Sequence, residues 1–281
     1  MVDSGIGGYA RHNIVVYVVT RSTLGTRISC RDNALRIENL EIMKPYNEEQ
    51  SKKEQVEEMF DNIAPTYDRL NHILSLNIDK AWRRRVMRII RRSKAKRIMD
   101  VATGTGDLAI AIAKRVDRTQ ILGIDLSEEM LAVARRKIQK QGLEERIMLE
   151  KGDAENLTMV DSGSIDAATV AFGVRNFENM ERGLAEIYRT LRGGGKLVVL
   201  EFSMPKNRFI RWVYSQYAHR LLPRIGAMIS KDSRAYTYLP DSVEEFPAPE
   251  RFAEMLRGVG FQSVRLRRQS FGIAYIYEAT K

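Results

Sequence analysis

The sequence predicts an α/β fold: a seven-stranded sheet of five parallel strands plus a C-terminal antiparallel hairpin, preceded by an N-terminal helical cap. Three observations carry this prediction. Short strands that are apolar throughout alternate with helices, which is typical of a parallel sheet covered on both faces. A glycine-rich loop follows the first of these strands. Two β-like segments lie close together at the C-terminus, where they can pair antiparallel.

The 281 residues suffice for one large domain or two small ones. Residues 1–42 show no amphipathic period, and we expect them to form an irregular, poorly ordered extension without chemistry. Residues 43–281 are expected to form a single domain. Its predicted parts are the helical cap (43–96), a cofactor-binding core (97–203), a substrate lid insertion (204–247) and a C-terminal helix with the hairpin (248–281).

The helical cap is predicted from apolar residues at three- and four-residue steps. This spacing runs from Val56 to Ile63, and Pro65 interrupts it. A second helix is expected to run through Trp82 to Ile90 with the same period.

The alternating part of the chain supplies the sheet. Its strands are predicted at 97–104, 120–126, 146–153, 165–174 and 196–203, and the hairpin at 263–270 and 273–280. Helices are predicted at 108–116, 127–142, 178–195 and 249–258. Ser127 is a good N-cap for the second of these helices, and Gly142 is a good stop.

Composition indicates a globular protein with a core, since 44% of the residues are hydrophobic and 29% are charged. No apolar run approaches the ~18 residues of a membrane span, and we expect no signal peptide because the N-terminal apolar run lacks a small-residue cleavage site. Cys30 is the only cysteine, which excludes an intramolecular disulfide and fits a reducing, cytoplasmic setting.

The net charge of +10 fits two kinds of partner, nucleic acid or an anionic membrane surface. Much of the charge lies in residues 83–97, which carry nine cations and no acid. A solvated helix face is the plain alternative for this run.

The loop DVATGTGDLA has the strand–glycine–helix order that places backbone N–H groups against a ligand. Gly104 and Gly106 allow the backbone to approach that ligand closely. Asp125 ends the next strand, where an acid can accept hydrogen bonds from ribose hydroxyls. Asp153 follows the third strand and can accept from an adenine amine, while the small Ala154 lets the ring lie flat.

Two cofactors suit such a loop. Residues 104–109 satisfy the looser dinucleotide pattern G-x-G-x-x-G/A. S-adenosylmethionine differs because it has no phosphate but carries an ammonium and a sulfonium, so that nearby acids favour it. Asp100 and Asp107 flank the glycines and would repel a pyrophosphate, which leads us to predict S-adenosylmethionine. Asp107 has a second interpretation as a helix N-cap.

Six segments occur in the order found in the UbiE/MenG C-methyltransferases of menaquinone and ubiquinone biosynthesis: DVATGTGDL, GIDLS, GDAENL, AFGVRNFEN, GGGKLVVLEFSMP and LPRIG. The stretch FDNIAPTYDRLNHILSLNIDKAWRR also resembles the family's N-terminal signature. The resemblance covers the chain from about Glu48 to Lys281. It implies the Rossmann-like fold of class I S-adenosylmethionine-dependent methyltransferases. It also implies methylation of a ring carbon on a polyprenyl quinol, either demethylmenaquinol or 2-methoxy-6-polyprenyl-1,4-benzoquinol.

The predicted cofactor contacts lie in the glycine loop and at the ends of the first four strands. They are Asp100, Gly104, Thr105, Gly106, Asp125, Asp153, Ala154 and Ala171. The resemblance implies the contacts at Thr105, Asp125, Asp153, Ala154 and Ala171, and many family members carry serine at the last of these positions.

Arg175 and Asn176 are the predicted catalytic residues, together with Tyr67. The first two follow the fourth strand, at the edge where open α/β sheets bind ligands. The ring carbon becomes nucleophilic as a quinol hydroxyl loses its proton, so a nearby cation would stabilise the oxyanion. In the family the matching Tyr, Arg and Asn are implicated around the quinol. The structural alternatives are an ion pair between Arg175 and an acid such as Glu178, and a core role for Tyr67.

The three histidines are scattered, and no His/Cys/Asp cluster has metal-ligand spacing, so no metal is expected. In the insertion, aromatic residues and leucines recur at helical spacing, which fits either an amphipathic core helix or a lid and groove for a prenyl tail. Its arginines are predicted to face lipid phosphates, as is the 83–97 run. They are Arg208, Arg211, Arg220 and Arg224. Peripheral contact with the inner leaflet is therefore a hypothesis, and a homo-oligomer is left open.

Three rival functions remain at this point. A nucleic-acid methyltransferase would explain the pI near 9.7, but base amino methylases of this fold usually carry a Pro-Pro pair after the fourth strand, and this chain has none. A non-catalytic binding module would leave the intact cofactor loop unexplained. An NAD-dependent oxidoreductase conflicts with the acids around the loop.

Overall fold

The structure is a computed structural model that describes residues 26–31, 34–39, 43–47, 49–75, 77–221 and 234–281. The chain divides into two compact units, residues 1–42 and residues 43–281. The predictions for residues 1–25 and for LPRIG, including Arg224, lie outside the described residues. No helix in the described ranges is both long and apolar enough to cross a membrane.

The first unit contains a β-hairpin where the composition predicts an irregular extension. Strands β1 (Thr26–Arg31) and β2 (Ala34–Asn39) pair antiparallel, with Thr26 opposite Asn39. Both segments alternate apolar and polar residues, and only two residues separate them in sequence, which is the pattern of a tight hairpin.

The second unit opens with three helices: α1 (Lys52–Ile63), α2 (Tyr67–Leu74) and α3 (Ile78–Ser93). The sequence pattern predicts only two of them, because α2 is short and follows directly on Pro65. A capping box starts α1, in which Ser51 Oγ accepts from the N–H of Glu54 and the Glu54 carboxylate accepts from the N–H of Ser51. This cap sets which residue begins the helix.

The sheet has seven strands, and the predicted architecture is confirmed. They are β3 (Arg97–Val101), β4 (Gln120–Asp125), β5 (Ile147–Lys151), β6 (Ile165–Ala171), β7 (Leu191–Phe202), β8 (Ser263–Gln269) and β9 (Ala274–Thr280). Their spatial order is β5-β4-β3-β6-β7-β9-β8. The first five run parallel, and β9 pairs antiparallel with both β7 and β8. The carboxyl ends of the parallel strands therefore share one edge.

The remaining helices flank the sheet. They are α4 (Asp107–Ala113), α5 (Glu128–Lys140), α6 (Met180–Thr190), α7 (Arg208–Gln216), α8 (Arg234–Glu245) and α9 (Pro249–Val259). Ser127 caps α5 as predicted, since its side chain accepts from the N–H of Met130. A short π-helical turn, Tyr217–Leu221, extends α7.

Helix α6 ends at Thr190, five residues before the predicted stop at Gly195. Leu191 is fully buried and pairs with Ile165, so the chain turns into β7 there. The next pair in the register is Ala167 with Lys196. The glycine-rich residues of β7 between Leu191 and Lys196 therefore form a register shift. Glycine is a poor helix former, and this allows the strand to begin early.

The core lies on both faces of the sheet. On one face Trp82 and Ile90 of α3 belong to a buried cluster with Ile98 of β3. On the other face Leu184 of α6 packs in a second cluster with Leu197 of β7. A third cluster joins α1, α5 and α8. It holds α1 and α8 next to the carboxyl edge of the sheet, where the candidate site lies.

Candidate active site

One cavity lies at the carboxyl ends of β3, β4, β5 and β6, with α1 beside it. Among the residues that line it, five belong to the predicted cofactor contacts. They are Gly104, Asp125, Asp153, Ala154 and Ala171. Tyr67 and Asn176 of the predicted catalytic residues also line this cavity. The structure thus brings together positions that are up to 109 residues apart, as from Tyr67 to Asn176.

Asp125 holds the glycine loop. Its Oδ2 accepts from the N–H of Gly104 at 2.7 Å, and its Oδ1 accepts from the N–H of Ser127 at 3.0 Å. Gly104 has a φ of +57°, and a Cβ there would meet no atom within 4 Å. The loop is therefore open toward the cavity at Gly104, and its backbone conformation is one that side-chain-bearing residues rarely adopt.

Asp100, Thr105 and Gly106 do not line the cavity. Asp100 is 2% exposed and accepts from Thr103 Oγ1 at 2.7 Å and from Thr169 Oγ1 at 2.5 Å. Thr105 Oγ1 donates to Asp68 at 2.5 Å. These contacts support the loop from beneath and from the α2 side, so direct cofactor binding by these three residues stays a prediction.

Asp107 does not act as the N-cap of α4. The N-cap residue is Gly106, and no side chain bonds to the helix there. Asp107 instead lies in the first turn and accepts from Lys137 Nζ at 2.5 Å. Lys137 also binds Asp68 at 2.7 Å, which ties α2 to the start of α4. An acid in the first turn is stabilised by the helix dipole as well.

Asp153 faces a cation from α1. Its Oδ2 accepts from Lys53 Nζ at 2.9 Å, and its Oδ1 accepts from the N–H of Glu155. Ala154 beside it is buried and leaves room in the cavity wall. Asp153 is predicted to accept a hydrogen bond from an adenine amine, and its carboxylate already accepts one from the ammonium of Lys53.

A second and larger cavity adjoins the first. Its volume is about 270 Å³, and its lining is largely aromatic and aliphatic. Four residues line both cavities. They are Phe60, Tyr67, Phe172 and Asn176. Phe172 has a φ of +63°, an uncommon conformation for a bulky residue. Two ligands, one in each cavity, would therefore meet at the four shared side chains.

Arg175 lines the second cavity and is 8% exposed. It lies in a 3₁₀ turn, Val174–Asn176, and its Nη1 donates to Glu201 Oε1 at 2.8 Å and to the carbonyl of Phe172 at 2.5 Å. Its Nε donates to Ser242 Oγ at 3.3 Å. Burial is the largest single effect and lowers the pKa of Arg175, but Glu201, Tyr67 and Tyr238 together outweigh it, so the pKa is raised. The side chain is therefore a permanent, oriented cation.

The acid that pairs with Arg175 is Glu201, not Glu178. Glu178 accepts from the N–H of Lys52 at 3.1 Å instead. Glu201 is fully buried in β7, and the sequence prediction overlooks it. The signal was present, because an acid inside the apolar strand KLVVLEF must have a buried partner.

Asn176 and Tyr67 lie where the cavities join. The Asn176 Oδ1 atom accepts from the hydroxyl of Tyr238 at 3.4 Å. Tyr67 begins α2 and packs edge-on against Phe60, with ring centroids 5.9 Å apart. Burial raises the pKa of Tyr67, although Arg175 opposes this rise. The hydroxyl of Tyr67 is therefore protonated near neutral pH and can donate a hydrogen bond.

Arg83 is a second cation that the sequence prediction assigned to the surface. It lines the larger cavity, and its side chain is only 12% exposed and binds Asp79. Its guanidinium carbon lies 5.6 Å from the centre of the Phe172 ring. Phe172 stacks on Phe202 at 4.5 Å, and Arg175 lies 5.7 Å from the Phe202 ring. Each of the two cations thus lies over one ring of a stacked pair.

Five other arginines of the 83–97 run are exposed on α3. They are Arg84, Arg85, Arg88, Arg91 and Arg92. Within the ranges that the structure describes, no group of three or more His, Cys, Asp or Glu side chains could hold a metal ion.

The model of the ubiE/COQ5 methyltransferase family matches residues 48–281. The chain belongs to this family. The resemblance predicted from the sequence motifs is confirmed, and the chain is an enzyme, an S-adenosylmethionine-dependent methyltransferase.

Curated relatives agree over most of the chain. A demethylmenaquinone methyltransferase of Bacteroides fragilis is 45% identical over 241 residues, which are 86% of this chain and 98% of the relative. One of Thermus thermophilus is 47% identical over 219 residues, covering 78% and 98% of the two chains. The ubiquinone/menaquinone biosynthesis C-methyltransferase UbiE of Geobacter sulfurreducens is 44% identical over 231 residues, covering 82% and 90%.

Solved structures share the fold. The cyclase SpnF has a TM-score of 0.60 at 18% identity, covering 83% of this chain and 97% of its own. An S-adenosylmethionine-dependent methyltransferase of Thermotoga maritima has a TM-score of 0.51 at 19% identity, covering 80% and 99%. At this identity the likeness concerns the fold alone, and a fold does not specify a reaction.

The first cavity of this methyltransferase fits S-adenosylmethionine. Gly104 leaves the loop open, and Asp125 and Asp153 place carboxylates at the ends of β4 and β5. Carboxylates suit a ligand that carries cations and hydroxyl donors. The wall also has an apolar part, to which Val56, Ile124 and Met130 contribute and which suits the faces of an adenine ring.

Cofactor affinity is expected to depend on pH through Asp125. Burial raises the pKa of Asp125 to about 6, although the N–H groups of Ser127 and Gly104 lower it. The carboxylate form accepts hydrogen bonds, so affinity should be constant near pH 7 and should weaken as pH falls below about 6. Isothermal titration between pH 5 and 7 measures this.

Asp125→Asn provides the control for this prediction. Because hydrogen bonds to a charged acceptor contribute about 1.5–3 kcal/mol, the variant should bind at least about tenfold more weakly at pH 7, with a flatter pH profile. Burial also raises the pKa of Asp100 to about 6, and a profile unchanged in Asp125→Asn would assign the titration to Asp100.

Proposed function

We propose that this methyltransferase transfers a methyl group from S-adenosylmethionine to a ring carbon of a polyprenyl quinol. Demethylmenaquinol is the proposed substrate, and 2-methoxy-6-polyprenyl-1,4-benzoquinol is the alternative. The observation that carries the proposal is the large apolar cavity, which adjoins the cofactor cavity at four shared side chains and contains a buried arginine. The names of the Bacteroides and Thermus relatives support the naphthoquinol, and that of the Geobacter relative supports both quinols.

The cofactor, when bound, supplies a methyl group on a sulfonium that is already activated for transfer. The protein's contribution is then to hold the acceptor ring in line with it, which can lower a barrier by roughly 7–11 kcal/mol in favourable cases. Phe60 and Phe172 line both cavities and give the ring apolar surfaces at the junction. These walls also exclude water from the reacting carbon.

Arg175 is proposed to stabilise the quinol oxyanion. The guanidinium lines the acceptor cavity, and its bonds to Glu201 and to the Phe172 carbonyl hold it in one orientation. A preorganised cation needs no reorganisation when charge develops on the oxygen. Arg175 does not take the quinol proton, since guanidinium pKa values exceed ~12. A water bound beside the quinol hydroxyl is proposed to accept it, and the ring carbon releases its own proton to solvent once it has gained the methyl group. Asn176 and Tyr67 are proposed to orient the ring through hydrogen bonds.

One assay tests this function. Purified protein is incubated with methyl-labelled S-adenosylmethionine and, in parallel, with each reduced quinone and with duplex DNA and tRNA. We expect label in demethylmenaquinol and none in nucleic acid. Label in the benzoquinol alone would correct the substrate, and label in neither quinol would overturn the proposal.

The insertion is proposed to be a lid that also contacts a membrane surface. Tyr214 of α7 and Tyr217 of the following turn line the acceptor cavity, while Phe209 and Trp212 are 71% and 60% exposed. Arg208 and Arg211 are exposed on the same helix, and Arg208 lies four residues before Trp212, which suits an interface with anionic lipid. A prenyl substrate would then pass from the bilayer to the cavity along α7.

Vesicle flotation tests this contact. The enzyme is expected to float with vesicles that contain phosphatidylglycerol, and Trp212→Ser should reduce the floated fraction by about half or more. Met148→Ser is the matched control, because Met148 is equally exposed but lies on β5, away from the cavity. Enzyme that stays wholly in the soluble fraction would contradict the contact without affecting the methylation proposal.

A further inference from the structure

Lys52 is a buried lysine that contacts the turn bearing the proposed catalytic residues. It is the first residue of α1 and is 8% exposed. Its Nζ donates to the carbonyl of Arg175 at 3.0 Å and to the carbonyl of Phe177 at 3.2 Å. Its own N–H donates to Glu178 Oε1 at 3.1 Å. The ammonium and the backbone N–H of Lys52 thus hold the segment from Arg175 to Glu178.

The local geometry explains why the turn needs this lysine. The 3₁₀ turn Val174–Asn176 closes only two internal bonds, from the N–H groups of Asn176 and Phe177 to the carbonyls of Gly173 and Val174. The carbonyls of Arg175 and Phe177 lie in buried positions, where an unbonded carbonyl is costly. The Lys52 ammonium binds both of them.

The sequence places Lys52 there through the capping box of α1. Because Ser51 and Glu54 bond reciprocally, the helix begins at Lys52 and not one residue earlier or later. A shift of one residue would rotate the lysine by about 100° around the helix axis. The adjacent Lys53 points to a different partner, the carboxylate of Asp153.

Charges on three elements face the ammonium. Glu245 of α8, Glu178 of the segment after the turn and Glu155 favour its charged form, while Arg175 opposes it. Burial is the largest effect, and together with Arg175 it lowers the pKa of Lys52. The ammonium is therefore lost at a lower pH than that of an exposed lysine.

We propose that Lys52 is a positioning residue for methyl transfer: its ammonium fixes the carbonyls of Arg175 and Phe177 and so holds Arg175 and Asn176 against the two cavities. This inference rests on the proposed function, because it concerns the same residues. Lys52 lines neither cavity and acts through the turn alone.

The test compares Lys52→Met, which keeps the side-chain length without the ammonium, with Lys52→Arg, which keeps a cation. Lys52→Met should lower kcat by about 10- to 100-fold with a much smaller change in KM for the quinol. The kcat of Lys52→Arg should be at least tenfold higher than that of Lys52→Met. Lys140→Met is the matched control, since Lys140 is exposed at the end of α5 and should retain wild-type kcat.

Hydrogen exchange gives a readout that does not depend on turnover. In Lys52→Met the amides of residues 174–178 should exchange at least tenfold faster than in the wild type, whereas those of β4 should not change. If the wild type methylates neither quinol, the proposed function fails while this comparison still tests the role of Lys52. Wild-type exchange and wild-type kcat in Lys52→Met would overturn the inference.

The alkaline limb of the activity profile covers the case in which Lys52→Met does not fold. Wild-type kcat should fall as rising pH removes the ammonium, and in Lys52→Arg the fall should shift to higher pH by at least one unit. The quinol ionises equally in both assays and does not create such a difference. Superimposable profiles would overturn the positioning role.

Discussion

Replacement of Arg175 by lysine is expected to slow methyl transfer by about 100- to 1000-fold, the usual effect of removing one donor that stabilises an oxyanion. The planar guanidinium reaches Glu201, the carbonyl of Phe172 and Ser242 at the same time. A lysine ammonium is a point charge on a flexible chain and cannot keep all three contacts. The orientation of the cation toward the acceptor cavity would be lost even though its charge remains.

The affinity for S-adenosylmethionine should change by less than about threefold in this variant, because Arg175 does not line the cofactor cavity. Single-turnover rates with labelled cofactor, combined with isothermal titration, separate the two effects. Arg257→Lys serves as the control, since Arg257 is exposed on α9. Unchanged turnover in Arg175→Lys would show that Arg175 has only a structural role, as the partner of Glu201 in an ion pair.

Replacement of Glu201 by glutamine is expected to destabilise the protein strongly. The side chain of Glu201 is fully buried, and that of Arg175 is 7% exposed, so the variant leaves a buried guanidinium without its counter-charge. Breaking such a pair typically costs about 3–5 kcal/mol. With about 2–4 °C per kcal/mol for a chain of this size class, thermal unfolding should shift down by roughly 6–20 °C.

A double variant distinguishes an unpaired charge from a general packing defect. Arg175→Met combined with Glu201→Gln removes both charges and should unfold at a higher temperature than Glu201→Gln alone. Glu250→Gln is the exposed control, because Glu250 pairs with exposed Lys206 and such pairs contribute about 0–1 kcal/mol. A Glu201→Gln protein as stable as the wild type would show that the buried pair does not stabilise the fold.

The sheet was predictable because each of its signals is local. Apolar runs such as 97–101 and 120–125 are recognised within five or six residues, and Ser127 marks the helix that begins at the next residue. The hairpin also needs only neighbouring segments to pair. Helix α2 was missed because it is short and follows closely on Pro65. The early start of β7 was missed because it depends on the pairing of Leu191 with Ile165, 26 residues away.

The candidate site was predictable in its residue types and less so in its contacts. Asp125, Asp153 and Ala154 lie in one cavity, as the strand-end rule requires. Asp100 ends beneath the loop because threonines 3 and 69 residues away bind its carboxylate. Arg83 turns inward to Asp79 although the next two arginines of α3, Arg84 and Arg85, are exposed.

By itself, the sequence determined the α/β order, the glycine loop, the family and the residues at the strand ends, since all of these depend on periodicity and short motifs. The tertiary structure alone decided what the buried charges bind. Arg175 pairs with an acid 26 residues away, and Lys52 reaches carbonyls 123 and 125 residues away. A buried charge must find a partner wherever the fold brings one close. The segment that carries Arg175 and Asn176 is therefore held by helix α1 and strand β7, neither of which is its neighbour in sequence.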